Sequence, residues 1–441
     1  MFYYGVGFIL FFLQVFYIFK TAFIVYPEMY FLPWLVSKGM VPYKDFFDHH
    51  GFLLYYILAP FTADKTHLAL KFFYLAVQSG NLILVLLIFK KQSNKLGYVV
   101  GGGLYLLMNF FVSENILWYE TVITVLYLLS YLLLTNKNKN YFLTGLIIGL
   151  TGLIKPTAGL IIIPLFFFVR NRRLAFGFIL IWVASIIYFY YRGGLNLFFS
   201  DLIFYNQYLK SNLNSCLVNS FFDKRIALYT AMILGIGFIC LFLAKKIKNY
   251  LLPVIFLLTS FIFTVSGYSR LHLLPLVSFV ALIIGRHISD LSKKKLLLAV
   301  YLLCLTVYVV FFLGLAKHNY ENFVIKKKPQ YNYQSLTNQE IFKKKDIFKS
   351  KEIFVFGDNS EIYYLLDKLP FVQIPLRFPC SEKYFSSYQN EIISRLKSNR
   401  AELVIKPKIQ SPDFPKLEKL KNYITDSYQQ KIDLKEYILY K

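Results

Sequence analysis

Long apolar runs, separated by short clusters of Lys and Arg, occupy the first three quarters of the chain. A helix needs about 20 predominantly apolar residues to cross the hydrocarbon core of a bilayer. Several runs approach or exceed that length, so the pattern predicts a membrane protein. We expect eleven spans, at residues 2–25, 67–89, 97–112, 119–134, 141–154, 157–169, 174–192, 226–244, 250–266, 271–286 and 296–316.

The basic clusters between these runs predict the orientation of the chain. Cytoplasmic loops carry an excess of Lys and Arg, and an N-terminus in the cytoplasm places all five clusters on that side. This holds if residues 141–169 cross twice, as two short segments that meet at Lys155-Pro156. The outer face then receives the tail after residue 316 and four loops, 26–66, 113–118, 193–225 and 267–270.

The composition changes near residue 317, which predicts a separate part of the protein after the last span. Residues 317–351 are rich in Lys and Asn and are typical of a basic linker. Residues 352–441 then show the pattern of a small α/β domain on the outer face. Its predicted strands are 352–357, 371–374 and 401–405, and its predicted helices are 361–366 and 387–398. The fold class is therefore a polytopic α-helical membrane protein, with a membrane domain over 1–316 and a C-terminal α/β domain.

Composition and charge narrow the class of protein further. Hydrophobic residues make up 57% of the chain, against about 45–50% in a soluble domain. The net charge of +25 would suit a nucleic-acid partner. Many of the basic residues, however, lie in short clusters between apolar runs, as the positive-inside rule expects. We therefore predict that the protein does not bind nucleic acid. The four cysteines lack metal-ligand spacing, and a Cys216–Cys380 disulfide on the outer face is left open.

The first outer loop holds the densest group of titratable residues in the membrane part. Glu28, Asp45, Asp48, His49 and His50 all lie within residues 26–51, among aromatic residues and prolines. A carboxylate at the lipid–water boundary is partly desolvated, which raises its pKa and suits it to act as a base. The candidate catalytic residues are therefore Glu28, Asp45 and Asp48. The competing interpretation is a solvated polar loop.

The same loop is also a candidate metal site. Asp48, His49 and His50 carry side chains that bind divalent ions, and they follow one another in the sequence. Adjacent side chains rarely bind one ion together. The sequence therefore leaves the cofactor open between none and a divalent metal.

A second group of charged residues lies where other spans meet the outer face. Glu120 and Lys155 border apolar runs, and Arg270 and His272 lie in the segment Gly267–His272 at another outer boundary. Charged groups within spans are costly and usually functional. A Lys, an Arg and a His that face one cavity would bind a phosphate, although snorkelling to the surface is the alternative for each. With His49 and His50, these four are the predicted substrate-binding residues.

Four features together resemble the GT-C superfamily of membrane glycosyltransferases. An acidic residue, Glu28, directly follows the first span. The run Gly39-Met-Val-Pro-Tyr-Lys-Asp-Phe-Phe-Asp-His-His50 follows it, and Gly152-Leu-Ile-Lys-Pro-Thr157 lies mid-chain. The tail contains Val355-Phe-Gly-Asp-Asn359. The most similar family is the one that includes the protein O-mannosyltransferases and the bacterial aminoarabinose transferase.

This resemblance implies a function and a set of partners. Members transfer a sugar from a polyprenyl-phosphate donor to a lipid, glycan or protein acceptor on the outer face of the cell membrane. Many members carry an Asp-Glu pair in the first loop, where this chain has Pro27-Glu28. The base is therefore left open between Glu28, Asp45 and Asp48. In an inverting reaction, Lys155 and Arg270 would stabilise the leaving phosphate.

Two other functions compete with the transferase. A transporter or flippase of a lipid-linked or anionic solute would also use buried charge and a broken helix pair. Against it, the candidate charges gather at one face, and the sequence shows no internal repeat. A non-catalytic membrane scaffold that binds through its tail is the third hypothesis.

Overall fold

The computed structural model describes most of the chain. The described residues are 1–212, 230–235, 237, 239, 242, 247–266, 270–320, 340–343, 345–348, 351–357, 359–373, 384, 387–399, 401–408, 417–434 and 436–441. Cys216 and Cys380 lie outside them, as do most of the predicted span 226–244 and most of the predicted linker 317–351.

Apolar helices dominate the described residues, as the hydrophobic pattern predicts. Five are long and apolar enough to cross a membrane: Phe2–Lys20, Leu68–Gln92, Lys95–Ser113, Arg172–Tyr191 and Leu271–Leu291. Shorter apolar helices cover Tyr119–Thr135, Tyr141–Ile154, Pro156–Val169, Leu251–Phe261 and Lys295–Val310. Each of these ten lies where a span is expected. A helical multi-pass membrane protein is therefore confirmed by length and composition, while the total of eleven spans stays a prediction.

The described helices run in chain order as follows. They are α1 (Phe2–Lys20), α2 (Pro27–Ser37), α3 (Leu53–Leu58), α4 (Leu68–Gln92), α5 (Lys95–Ser113), α6 (Tyr119–Thr135), α7 (Tyr141–Ile154), α8 (Pro156–Gly159), α9 (Ile162–Val169), α10 (Arg172–Tyr191), α11 (Leu195–Phe199), α12 (Asn206–Ser211), α13 (Leu251–Ser266), α14 (Leu274–Leu291), α15 (Lys295–Tyr320), α16 (Glu340–Lys343), α17 (Glu361–Leu366), α18 (Tyr388–Asn399) and α19 (Glu418–Ser427). A π-helical turn, Ser200–Tyr205, joins α11 to α12, and a 3₁₀ turn, Arg270–Leu273, precedes α14.

The chain forms two compact units, and each combines segments that are distant in sequence. Unit 1 contains Met1–Val25, Leu70–Ala184 and Phe221–Lys328. Unit 2 contains Tyr26–Ala69, Ser185–Ser220 and Pro329–Lys441. The predicted domain limits at 316 and 351 divide the chain differently and stay a prediction.

Unit 1 is packed through glycines that allow helix backbones to approach closely. A Cβ atom at Gly97 of α5 would lie 2.2 Å from the carbonyl oxygen of Gly285 in α14. A Cβ atom at Gly177 of α10 would lie 2.3 Å from the carbonyl oxygen of Phe142 in α7. Within a membrane the hydrophobic effect does not drive helices together. Small residues at such crossings instead let the backbones approach closely enough for van der Waals packing.

Buried amides and a short sheet tie the other helices of unit 1 together. Gln14 of α1 donates to the Gln78 carbonyl (3.0 Å), and Asn109 of α5 donates to the Gln78 side chain (3.2 Å). Strands β1 (Ile24–Val25) and β2 (Ile116–Leu117) pair in parallel, with Ile24 opposite Ile116. Strand β2 leads into α6, and it thereby fixes where α6 begins.

The predicted break at Lys155-Pro156 is confirmed. Helix α7 ends at Ile154 and α8 begins at Pro156, with Lys155 extended between them (φ −148°, ψ 113°). The residue before a proline is driven away from the helical region by the proline ring. Lys155 is therefore held outside both helices.

The tail of unit 2 forms a four-stranded sheet in the order β3-β4-β6-β5. Strand β3 (Ile353–Val355) is parallel to β4 (Leu403–Pro407), whereas β6 (Tyr437–Tyr440) is antiparallel to β4 and to β5 (Lys431–Asp433). Helices α18 and α19 add Leu396 and Leu420 to a core that contains Phe354 and Val404.

Four of the five elements predicted for the tail are confirmed, and one is wrong. Strands β3 and β4 and helices α17 and α18 fall within two residues of their predicted limits. The predicted strand 371–374 is wrong over its described part, because Phe371–Gln373 form a bend. The carbonyl of Gln373 accepts a hydrogen bond from the Phe47 amide (2.6 Å) in the first loop. Where a strand is expected, the backbone thus makes a hydrogen bond with a residue that is distant in sequence.

Candidate active site

Helix α2 presents Glu28 at a well-defined position. Pro27 is the first residue of α2, and its fixed φ and missing N–H suit that position. Glu28 follows in the first turn, where the positive end of the helix dipole favours a carboxylate. The local sequence therefore fixes this acidic residue directly after β1.

A tight turn precedes Asp48 and is held by Asp45. The Asp45 carboxylate accepts a hydrogen bond from the Val41 amide (2.7 Å), and the Asp45 amide donates to the Val41 carbonyl (2.9 Å). Tyr43 adopts a left-handed φ of 67° at the centre of the turn, and its hydroxyl donates to the His50 carbonyl (2.6 Å). The side chain of Asp45, predicted as a catalytic candidate, thus serves to shape the loop.

Asp48 is buried and surrounded by donors. Its side chain has no exposed surface, and His50 Nδ1 lies 3.1 Å from Oδ1. The His49 amide donates to the same oxygen (2.7 Å), and the Tyr55 hydroxyl donates to Oδ2. Burial by itself would raise the pKa of Asp48, but the charge and hydrogen bond of His50 lower it below its ordinary value. Asp48 is therefore a stable carboxylate.

Glu28 has the opposite character. Protein atoms surround it, and this burial raises its pKa above the ordinary value of a glutamate. The charge of nearby Asp48 acts in the same direction, and that of His50 opposes it. The residue as a whole is nevertheless partly exposed. Glu28 thus combines partial exposure of the residue with an increased affinity for a proton.

Asp201 joins this group from a distant part of the chain, and the sequence-based candidates did not include it. It lies in the π-helical turn, is 1% exposed, and neither carboxylate oxygen has a hydrogen-bond partner of normal geometry among the described residues. Burial, and then the charge of Asp48, raise the pKa of Asp201 to about 8, with the Ser200 hydroxyl acting weakly against them. A carboxylate within an otherwise apolar helical stretch was the signal that could have identified it.

Contacts from the end of this turn and from the start of α12 hold the His pair in place. The Asn206 amide donates to the His49 carbonyl (2.7 Å), and the Tyr205 ring lies 5.5 Å from the His49 ring. Tyr384 of the tail packs edge-on against Tyr205 (5.1 Å). We call Glu28, Asp48, His49, His50 and Asp201 the first-loop centre. Within it, Asp48, His49 and His50 have the donor atoms to hold a metal.

A second cluster lies within unit 1 and joins three of the predicted substrate-binding residues. Glu120 Oε1 is 2.5 Å from Lys155 Nζ and 2.6 Å from His272 Nδ1, and Lys155 Nζ is 3.4 Å from His272 Nδ1. Glu120 has no exposed side-chain surface, while Lys155 and His272 are 14% and 13% exposed. We call these three residues the Glu120 cluster. Lys155 thus has a carboxylate partner, which its sequence context did not indicate.

Arg270 is the remaining predicted residue. Its backbone begins the 3₁₀ turn that carries His272, while its side chain lies outside the described part of the chain. The predicted cavity shared by Lys155 and Arg270 therefore stays a prediction.

No protein-family model matches the chain, and no curated protein matches it in sequence. Solved structures match it in fold. ArnT from Cupriavidus metallidurans, in the apo state, has a TM-score of 0.51 at 11% identity, covering 99% of this chain and 96% of that chain. The oligosaccharyltransferase of Archaeoglobus fulgidus, tethered to an acceptor peptide with the NVT sequon, has a TM-score of 0.54 at 12% identity, covering 92% of this chain and 69% of that chain. The fold implied by the motifs is therefore confirmed.

Proposed function

We propose that the protein is an inverting membrane glycosyltransferase. It transfers a sugar from a polyprenyl-phosphate donor to a hydroxyl group of a lipid, glycan or protein acceptor on the outer face of the membrane. The observation that carries this proposal is Glu28, a partly exposed residue whose carboxyl has a raised pKa beside Asp48 and His50. Its setting, a fold similar to those of ArnT and an oligosaccharyltransferase, supports the same reaction class.

Glu28 acts as the general base in this proposal. It accepts the proton of the acceptor hydroxyl while the oxygen attacks the anomeric carbon of the donor. The bond from that carbon to the phosphate oxygen breaks, and the phosphate leaves with the electron pair. A base is most effective when its pKa lies near the working pH, and burial moves the pKa of Glu28 in that direction.

The other two carboxylates of the first loop suit this role less well. Asp48 is fully buried and its pKa is lowered, so it is inaccessible to an acceptor and a weaker base. Asp45 already accepts the Val41 amide, and moving it would open the turn. We therefore assign Asp48 the role of holding His50 and Tyr55, and Asp45 that of shaping the loop.

Within unit 1, the Glu120 cluster is proposed to recognise an anionic group of the donor. Lys155 and His272 are close and partly accessible, and Arg270 lies two residues before His272. Positively charged side chains in such an arrangement bind phosphate oxygens through charge-assisted hydrogen bonds. Glu120 would orient Lys155 and His272 by accepting from both.

The test is sugar transfer in vesicles that contain the purified full chain. Polyprenyl-phosphate sugars with an isotopic label would be supplied together with a membrane extract as the source of acceptors. Loss of a general base costs on the order of 10²–10⁴ in rate, so we expect that decrease in Glu28→Gln. Glu402→Gln is the matched control, because Glu402 is exposed in the tail of the same unit. A near-normal rate in Glu28→Gln would refute the assigned role.

A transporter or flippase is the second candidate, and one observation favours it. The break between α7 and α8 places a charged residue, Lys155, among apolar helices of unit 1. Broken helices with buried charge form the substrate sites of many transporters. In the same vesicles, a labelled lipid that changes leaflet without any transfer of its sugar would support this candidate over the transferase.

A further inference from the structure

One buried tyrosine joins the tail to the end of the first loop. Tyr364 of α17 has no exposed surface, and its hydroxyl donates to the Thr62 carbonyl (3.0 Å). Its ring packs against the rings of Tyr30 (5.0 Å) and Trp34 (5.7 Å) of α2. Buried aromatic residues of this kind often supply much of the free energy of a contact. We call these four residues, together with His67, the Tyr364 contact.

His67 packs against both tyrosine rings. Its ring centroid lies 4.5 Å from that of Tyr30 and 6.0 Å from that of Tyr364, and the residue is only 4% exposed. The backbone of His67 has a left-handed φ of 58° directly before α4, and its amide donates to the Asp64 carbonyl (3.1 Å). The turn before α4 therefore holds the imidazole inside the contact.

Enclosure in the contact favours the neutral imidazole. Removal of an ionisable group from water disfavours its charged form. Burial accordingly lowers the pKa of His67 from its ordinary value of 6.5 to about 4, and the charge of Asp64 opposes this shift. An imidazole that leaves the contact regains its ordinary pKa. Opening of the contact is therefore coupled to uptake of a proton between these two pH values.

The direction of the pH dependence follows from this difference. Above about pH 6.5 the imidazole is neutral in the closed and in the open form, so the contact has its full strength. As the pH falls from 6.5 towards 4, a proton binds to the open form and stabilises it, while the closed form stays neutral. The contact should therefore weaken progressively over this window.

We propose that the Tyr364 contact is an acid-sensitive attachment of the tail, closed at neutral pH and released when His67 takes up a proton. Release exposes α17 and residues 62–67. It leaves the four-stranded sheet of the tail folded, because that sheet has its own core around Phe354 and Val404. The tail is expected on the outer face, where the pH follows that of the surroundings. The proposal does not rest on the transferase assignment.

Two phenols face His67 from the neighbouring helices, Tyr30 of α2 and Tyr364 of α17. Burial raises the pKa of Tyr30 well above its ordinary value, so Tyr30 stays neutral in this window. The carboxyl groups of Glu361 in α17 and Glu28 in α2 act on Tyr30 through their charge. A variant of His67 separates its titration from theirs.

Charged groups also lie on the turn before α4 and at the end of α17. Burial would raise the pKa of Asp64, but hydrogen bonds from the residues that follow it lower the pKa below its ordinary value. Burial acts in the same way on Asp367, and the hydrogen bond and charge of Lys38 lower its pKa. Both carboxylates therefore stay charged over this window. Lys65 adds a positive charge 5.5 Å from the centre of the Tyr364 ring.

The test is hydrogen–deuterium exchange of the purified full chain in detergent, at about pH 7.5 and about pH 5, followed by mass spectrometry. Labelling times are scaled for the intrinsic effect of pH on amide exchange, so that the remaining difference reports local opening. The two pKa values of His67 predict that opening is about 30-fold more frequent at the lower pH. We expect faster corrected exchange of that order in residues 62–67 and in α17, and equal exchange in strand β4.

Two variants separate His67 from the rest of the contact. His67→Asn removes the titrating group, and asparagine tolerates a left-handed backbone, so its corrected exchange should be similar at the two pH values. Asp367→Asn removes the ion pair with Lys38 (2.9 Å). An exposed ion pair contributes little, so this variant should retain the pH response. His67→Gln takes the place of His67→Asn if the latter does not fold.

Four results would overturn the proposal. Equal corrected exchange of residues 62–67 at the two pH values would show that the contact is insensitive to acid. Slower exchange at the lower pH would show that the phenol rings hold the imidazolium more tightly than the imidazole. A response that persists in His67→Asn would assign it to another group, and an equal response in strand β4 would show general unfolding in acid.

Discussion

At the scale of single residues, the environment gives similar carboxylates different properties. Burial raises the pKa of Glu28, the charge of His50 lowers that of Asp48 despite burial, and burial raises that of Asp201 to about 8. Neighbouring titratable groups whose pKa values are driven apart are typical of active sites. The affinity for a proton is therefore increased at Glu28 and Asp201 and decreased at Asp48.

The Glu120 cluster leads to a prediction about stability. Glu120→Gln would leave the Lys155 ammonium without its carboxylate partner, and both side chains are largely buried. Removing one member of a buried ion pair destabilises a protein by about 3–5 kcal/mol. We expect the variant to unfold at a clearly lower temperature, measured by the loss of monodisperse protein after heating in detergent.

The double variant is the control for this prediction. Glu120→Leu combined with Lys155→Met removes both charges, and replacing a whole buried pair by apolar groups is often neutral. The double variant should therefore be more stable than Glu120→Gln alone. Equal stability of Glu120→Gln and the unmodified protein would contradict a structural role for the pair.

At the scale of elements, close helix packing explains some glycines of unit 1 and leaves others unexplained. Gly97 of α5 faces the backbone of α14, with 2.2 Å from a Cβ atom to the Gly285 carbonyl oxygen. Gly103 of the same helix has nothing within 4 Å of a Cβ atom. Close packing therefore accounts for Gly97 and does not account for Gly103.

A pair of alanine variants tests this difference. Gly97→Ala must push the two helices apart, and overpacking of this kind typically costs about 1–3 kcal/mol. Gly103→Ala adds a methyl group in open space and removes a poor helix former, so it should be neutral or stabilising by up to about 1 kcal/mol. Thermal unfolding of both variants in one detergent would measure the difference, and equal midpoints would contradict the packing.

At the scale of the whole molecule, the tail completes the unit that contains the first loop. The Phe47 amide donates to the Gln373 carbonyl (2.6 Å), and the Gln373 side chain donates to the Tyr43 carbonyl (3.3 Å). The Tyr364 hydroxyl donates to the Thr62 carbonyl (3.0 Å). The loop with the candidate base is therefore held in part by residues more than 300 positions later.

Removal of the tail should loosen the first loop. A chain that ends at Lys328 lacks the third segment of unit 2, so the amides of residues 41–48 should exchange hydrogen faster than in the full chain. Exposed backbone hydrogen bonds and few buried contacts are the physical basis of such local opening. Hydrogen–deuterium exchange followed by mass spectrometry measures this directly. Unchanged exchange over residues 41–48 would show that the loop is held by its own contacts.

The sequence by itself determined the local features of this protein. Apolar runs fix where helices form, because a helix needs only its own contiguous residues and a bilayer or core to bury them. Pro156 fixes the break that isolates Lys155, and the segment Glu361–Leu366 forms the predicted helix. Glu28 and Asp48 were identifiable because they lie within one short loop.

Only the tertiary structure decided which distant residues meet. Asp201 joins the first-loop centre from about 150 positions away, and Lys155 and His272 converge on Glu120 from different helices. In place of the expected strand at 371–374, the described residues 371–373 form a bend, and the Gln373 carbonyl accepts a hydrogen bond from the Phe47 amide. Such pairings, and the burial that shifts a carboxylate's pKa, depend on how the elements pack, which the pattern of any single segment does not contain.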